Sequence, residues 1–169
     1  VSVSDSADTT TGGIVGINHG TLINCQFTGV VTGDSEVGGI VGRNESEGTI
    51  DHSTARAIVT GKSSTGGIAG YNLGAITGCT NVGSINTEYP EASLDTDGFT
   101  AKMVDYINNK MAAADNDATN SVTNVATDTG GIAGRSSGMI LTSVNTGTIG
   151  YEHVGYNVGG IVGRTDGLV

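Results

Sequence analysis

The chain has 169 residues, with seven basic against seventeen acidic side chains and a formal charge of −10. That charge repels polyanions, which sets aside nucleic acid and anionic membranes as partners, and no apolar run is long enough to insert in a bilayer. Twenty-nine glycines with a single proline and no Gly-X-Y period exclude collagen, and apolar residues that recur at intervals exclude a disordered chain.

In chain order, the first element is VSV, Val1 to Val3, which reads as the third strand of an earlier coil by comparison with Gly29-Val30-Val31. Then comes GGIVG at Gly12 to Gly16. It returns at Gly38, Gly66, Gly130 and Gly159, in steps of 26, 28, 64 and 29 residues. Self-similarity at such a period marks a solenoid or propeller. Propeller blades need about 40 residues and four strands, so the shorter period favours a β-helix.

Aligned on GGI, the copies give a column of Ile14, Ile40, Ile68, Ile132 and Ile161. A polar column follows: Asn18, Asn44, Asn72, Ser136 and Thr165. A second apolar run then supplies Leu22, Ile50, Ile76 and Ile140, and beside it stand Cys25, Ser53, Cys79 and Ser143. A third supplies Val31, Val59, Ile85 and Ile149. Each period thus predicts three short strands rich in branched residues, separated by Gly, Asn and Thr. A lone unit cannot bury its apolar side; stacked units bury it on their neighbours, like on like. The glycines are expected to make tight corners and to take positive φ. Cys25 and Cys79 stand two rungs apart, about 9.6 Å, beyond the roughly 7 Å that a disulfide spans. They are expected to be free, buried thiols.

Residues 88–128 interrupt the pattern. Within them Phe99, Met103, Tyr106, Ile107 and Met111 fall at helical spacing, which predicts a helix near 97–113 with an apolar stripe. The stripe either covers the solenoid flank or projects as a recognition element for a partner.

The residues from Gly12 to Gly33, GGIVGINHGTLINCQFTGVVTG, resemble the GLUG repeat, with Ile in place of the family's first Leu. The second copy departs by an extra residue within Arg43 to Glu47 and by Ala57 for Gly; the fourth departs at Ser136 and Ser143. GLUG repeats occur in bacterial surface and secreted proteins, including non-catalytic regions of immunoglobulin-A proteases. The resemblance implies an extracellular or cell-surface location and a stalk-like or adhesive role rather than catalysis.

Catalytic and cofactor motifs are incomplete. Gly61-Lys62-Ser63 is the tail of a phosphate loop, but Arg56 stands where its first glycine belongs. Asp95, Asp97 and Gly98 start like a calcium loop that lacks its closing Glu, which leaves weak calcium binding in the acidic insert as the sole cofactor expectation. His19, His52 and His153 show no metal-ligand spacing. Asn44-Glu45-Ser46 is a glycosylation sequon. Arg43, Arg135 and Arg164 share a column that Ile17 and Tyr71 interrupt. Asn18, Asn44 and Asn72 are expected to stack as an amide ladder.

The sequence therefore predicts one all-β domain over residues 1–169, a right-handed parallel β-solenoid of about five coils with one helical insertion. It predicts no enzyme, and a structural or adhesive module whose protein or glycan partner the residues do not name. Two alternatives stand beside it. One is a filament subunit that stacks head to tail, because strand three opens the chain and strand two closes it. The other is a carbohydrate- or ice-binding module, against which Arg56 and Val82 break the threonine column of Thr28 and Thr146.

Overall fold

A computed structural model describes residues 1–5, 9–87, 127–150 and 156–169. All the regular structure among them is β. A leading strand, β1 (Ser2–Ser4), precedes four complete turns. The first holds β2 (Thr10–Gly12), β3 (Val15–Asn18), β4 (Thr21–Ile23) and β5 (Gln26–Thr32). The second holds β6 (Ser35–Gly38), β7 (Val41–Asn44), β8 (Thr49–Asp51) and β9 (Thr54–Thr60). The third holds β10 (Ser63–Gly66), β11 (Ala69–Asn72), β12 (Ala75–Thr77), β13 (Thr80–Asn81) and β14 (Ser84–Ile85). The fourth holds β15 (Thr127–Gly130), β16 (Ala133–Ser136), β17 (Met139–Leu141), β18 (Val144–Asn145) and β19 (Thr148–Ile149). Then come β20 (Tyr156–Gly159), β21 (Val162–Thr165) and a bridge from Leu168 to Met139.

Corresponding strands pair in parallel and build four sheets. Sheet A runs β1-β5-β9 and on to the split pairs β13/β14 and β18/β19; sheet B runs β2-β6-β10-β15-β20. Sheet C runs β3-β7-β11-β16-β21, and sheet D runs β4-β8-β12-β17. The chain is thus a parallel β-solenoid. Its fifth period contributes only β20, β21 and the Leu168 bridge, so the expected five coils are four full turns with part turns at each side.

The first two turns have four strands each and the next two have five, where the composition suggested three. The second glycine and the isoleucine of each GGI form not a strand but the arch between two, and the first glycine ends the sheet B strand before it. Gly39 and Ile40 carry the chain from β6 to β7, and the Ile amides extend the ladder through the arch: Ile14 N–H donates to Ile40 O at 2.9 Å, Ile40 to Ile68 at 3.1 Å and Ile68 to Ile132 at 2.9 Å. Sheets B and C are then pressed together at the arch. A methyl on Gly38 would overlap the carbonyl of Val41, and one on Gly42 would lie 2.7 Å from Thr11 N and 2.8 Å from Gly16 O. Close backbone approach, not positive φ, is what these glycines serve. Among the described residues only Gly78 and Gly150 are positive-φ glycines, while Asn24, His52 and Thr142 take the same corner as Gly78, and Glu36, Ser64, Asp128 and Asn157 take a second one in sheet B.

The core is a set of stacked columns. Ile40, Ile68 and Ile132 are fully buried, as are Ile50, Ile76, Val31, Val59 and Ile85, and Ile140 nearly so. Burying each such side chain stabilises the fold by about 1.5–3 kcal/mol. The column ends differ. Leu22, Ile149 and Ile161 are partly buried, and Ile14, expected inside, is 41% exposed. Ile14 lies in the first complete turn and is covered from one side only. Val3 pairs with Val31 and prolongs the third column.

The insertion is shorter than expected at its far end. Thr127 and Asp128 already belong to β15, paired with β10. The expected helix near 97–113, with Phe99, Met103, Tyr106, Ile107 and Met111, lies outside the described residues.

Candidate functional site

Two corners are held by amide ladders. Asn18 Nδ2 donates to Asn44 Oδ1 at 2.8 Å, Asn44 Nδ2 to Asn72 Oδ1 at 2.9 Å, and Asn72 Nδ2 to Ser136 Oγ at 3.2 Å. Asn44 and Asn72 are fully buried, so the amide of the Asn44 sequon is committed to the ladder. A second ladder, from Asn81 Nδ2 to Asn145 Oδ1 at 2.8 Å, was not anticipated. Its sequence signal is Asn-x-Gly. In each case the asparagine oxygen accepts the N–H of the glycine two residues on, at 3.1 Å for Gly20, Gly83 and Gly147.

The Cys/Ser column is equally structural. Cys25 N–H donates to Ser53 Oγ at 3.1 Å, Ser53 N–H to Cys79 Sγ at 3.4 Å and Cys79 N–H to Ser143 Oγ at 3.2 Å. Both thiols are free; Cys79 is buried, but Cys25 is only half-buried, because it lies in the first complete turn. Burial pushes the Cys79 thiol pKa up, which makes it a poor nucleophile.

Sheet C carries the basic column on its outward face. Ile17, Arg43, Tyr71, Arg135 and Arg164 are register partners in successive turns. Tyr71 does not break the column. Its ring lies between the two guanidinium groups, 5.1 Å from Arg43 and 5.2 Å from Arg135, a double cation–π contact. Acids flank the stack: Arg43 Nη1 meets Glu36 at 2.8 Å, Arg43 Nε meets Glu45 at 2.7 Å, and Arg135 meets Asp166 at 3.5 Å. Partial burial of Arg43 opposes its charge, but Glu36 and Glu45 outweigh this and hold its pKa above the ordinary value. Glu45 reaches Arg43 because the second turn is longer here. Gly48 N–H closes a turn onto Glu45 O at 2.8 Å. From Arg43 to Arg135 the column is therefore a neutralised, self-paired stripe.

Sheet A presents the contrasting face. Along β5 and β9 the burial alternates, and Gln26, Thr28, Val30, Thr54, Arg56 and Ile58 point outward. Thr80, Val82 and Ser84 continue the rows in the third turn, and Val144, Thr146 and Thr148 in the fourth. Val30, Ile58, Val82 and Val144 are each more than a third exposed. Arg56 is the one charged residue in these rows.

His52 Nδ1 stands 2.8 Å from Asp51 and His19 Nδ1 4.0 Å from Glu47, both pairs near the surface. Among the described residues no group of three or more His, Cys, Asp or Glu could hold a metal ion. Lys62 of the phosphate-loop remnant pairs with Asp34 at 2.9 Å, and Gly61 N–H is taken by Asn86 Oδ1 at 2.8 Å, so the backbone there is not arranged as an anion cradle.

The family model of the GLUG motif matches residues 33–60. These residues run from Gly33 through β6, β7, β8 and β9, so one GLUG match spans one turn of the solenoid. The copy from Gly12 to Gly33, on which the resemblance was read, precedes the match. No curated protein and no solved structure matches the chain with significant similarity.

Proposed function

We propose that this chain is a non-catalytic repeat module of a bacterial surface or secreted protein, a stiff scaffold that presents a sheet face to a partner. The observation that carries this reading is the sharing of labour among side chains. The inward columns, the Asn and Cys/Ser ladders and the arch glycines all join one turn to the next. On sheet A the outward rows take little part in that work, apart from Thr146 Oγ1 donating to Asn81 O at 3.3 Å, and leave apolar and hydroxyl side chains on the surface. The GLUG match supports the same reading, since it falls on a single structural turn.

The test is labelling of intact and permeabilised bacterial cells that express the full protein, with antibodies to this chain. Surface labelling before permeabilisation, or recovery from the culture medium, is expected. Labelling that appears only after permeabilisation overturns the reading.

A further inference from the structure

Five basic side chains lie among the described residues, and three of them are paired: Arg43 with Glu36 and Glu45, Lys62 with Asp34, and Arg135 with Asp166. Among the described residues, Arg56 and Arg164 have no carboxylate within ion-pair reach. In a chain with a large surplus of acid, an unpaired guanidinium is unexpected. Arg56 is also central. It sits in β9 between Thr28 of β5 and Val82 of the third turn, with Thr54 and Ile58 two residues away on its own strand. Thr80 and Ser84 lie diagonally beyond. The result is one fixed positive charge in a flat field of hydroxyls and methyls, with rungs about 4.8 Å apart and like-facing residues about 6.6–7 Å apart along each strand. Most of these side chains are β-branched and stiff at χ1, so the field is ordered before anything binds.

We propose that the outward face of sheet A binds an acidic polysaccharide, with Arg56 taking a sugar carboxylate. This deepens the adhesive reading above and rests on it only for its biological setting. The chain as a whole, at −10, repels polyanions at long range, so the match is local, and the single guanidinium on this face selects a carboxylate. The face has no acid in its described rows and one unpaired guanidinium, which fits a carboxylate donor-to-acceptor as a fork. Threonine and serine hydroxyls both donate and accept, as sugar hydroxyls require, while Val82 and Ile58 meet the ring C–H groups. A neutral sugar is a poorer fit, because it leaves Arg56 unmatched and the rows hold no aromatic ring on which to stack. An extended acidic peptide is also a poorer fit. β9 is paired on both sides, by β5 and by β13 and β14, so it has no free backbone edge for strand addition. A second copy of the chain would set one Arg56 towards another across the face.

The test is retention of the purified chain in gels cast with polygalacturonate, dextran or polyglutamate. Retardation by polygalacturonate alone is expected. Arg56→Gln should weaken it at least tenfold, whereas Arg164→Gln, which removes the other unpaired guanidinium away from sheet A, should leave it unchanged. Thr80→Val keeps the strand's shape and should weaken polygalacturonate retention severalfold. Unchanged thermal melting of each exposed-site variant establishes that folding is intact. Retention equal in the Arg56→Gln variant, equal retention by polyglutamate, no retention at all, or a mass that doubles with concentration through this face would each overturn the proposal. None of these outcomes bears on whether the chain is displayed at a cell surface.

Discussion

Cys79 and Asn44 show how single residues serve the stack. Cys79 occupies a column whose neighbours are Ser53 and Ser143, so serine already fits the site in adjacent turns. Cys79→Ser is expected to cost no more than about 1 kcal/mol, since the hydroxyl still accepts the Ser53 N–H. The same variant has a pH signature. Below the unfolded thiol's pKa, about 8.5, both states hold the proton. Above it the unfolded state releases a proton that the buried thiol retains, so stability falls as pH rises. Urea titrations from pH 7 to 10 should show a steeper alkaline loss in the native chain than in Cys79→Ser. Asn44 is less forgiving. Asn44→Ala leaves the Asn72 oxygen without its donor and one Asn18 N–H without its acceptor in a buried corner, while the Gly48 carbonyl keeps only the Ala75 N–H, and about 2–4 kcal/mol of stability should be lost, measurable by the same titration.

At the scale of the element, the arch explains the repeat better than strand propensity does. Gly39 and Gly160 hold the same place in two arches. A methyl on Gly39 would overlap the Gly67 carbonyl and lie 3.1 Å from Ala55 Cβ, whereas nothing lies within 4 Å of one on Gly160. Gly39→Ala should therefore cost about 3 kcal/mol or more through forced overpacking, and Gly160→Ala no more than about 0.5 kcal/mol. Thermal melting of the pair measures the difference. If both variants melted alike, close packing between turns would not be the reason for the glycine. The split of sheet A into β13/β14 and β18/β19 belongs to the same scale. Where β5 and β9 run unbroken for seven residues, the later turns place Asn81-Val82-Gly83 and Asn145-Thr146-Gly147. The asparagine oxygen captures the glycine N–H and turns the backbone away from the ladder.

For the whole molecule, stability should be graded along the axis. Ile40, Ile68 and Ile132 are fully buried, while Ile14 is 41% exposed and Ile161 partly so. Repeat arrays lose their least-supported units first. Hydrogen exchange of residues 1–169 should be slowest in the arch and ladder amides of the second and third turns. It should be fastest in β1, β2, β20 and β21. Uniform protection across all turns would mean that the solenoid opens only as one cooperative unit.

Much of this was legible in the sequence because a solenoid repeats its own environment. A column of Ile at a fixed period can be buried only by the Ile above and below it, so Ile40, Ile68 and Ile132 declare the fold class without a structure. The Asn18–Asn44–Asn72 ladder follows from the same logic. What the sequence could not decide was anything set between columns. That Gly38 and Gly42 face backbone from another sheet, that non-glycine residues take the positive-φ corners, and that Tyr71 joins Arg43 to Arg135 all depend on distances across the coil. The isolation of Arg56 is of this kind too. Its sequence neighbours say nothing of which carboxylates come near. Linear period fixes which residues stack along the axis, but only the closed cross-section decides which residues meet across it.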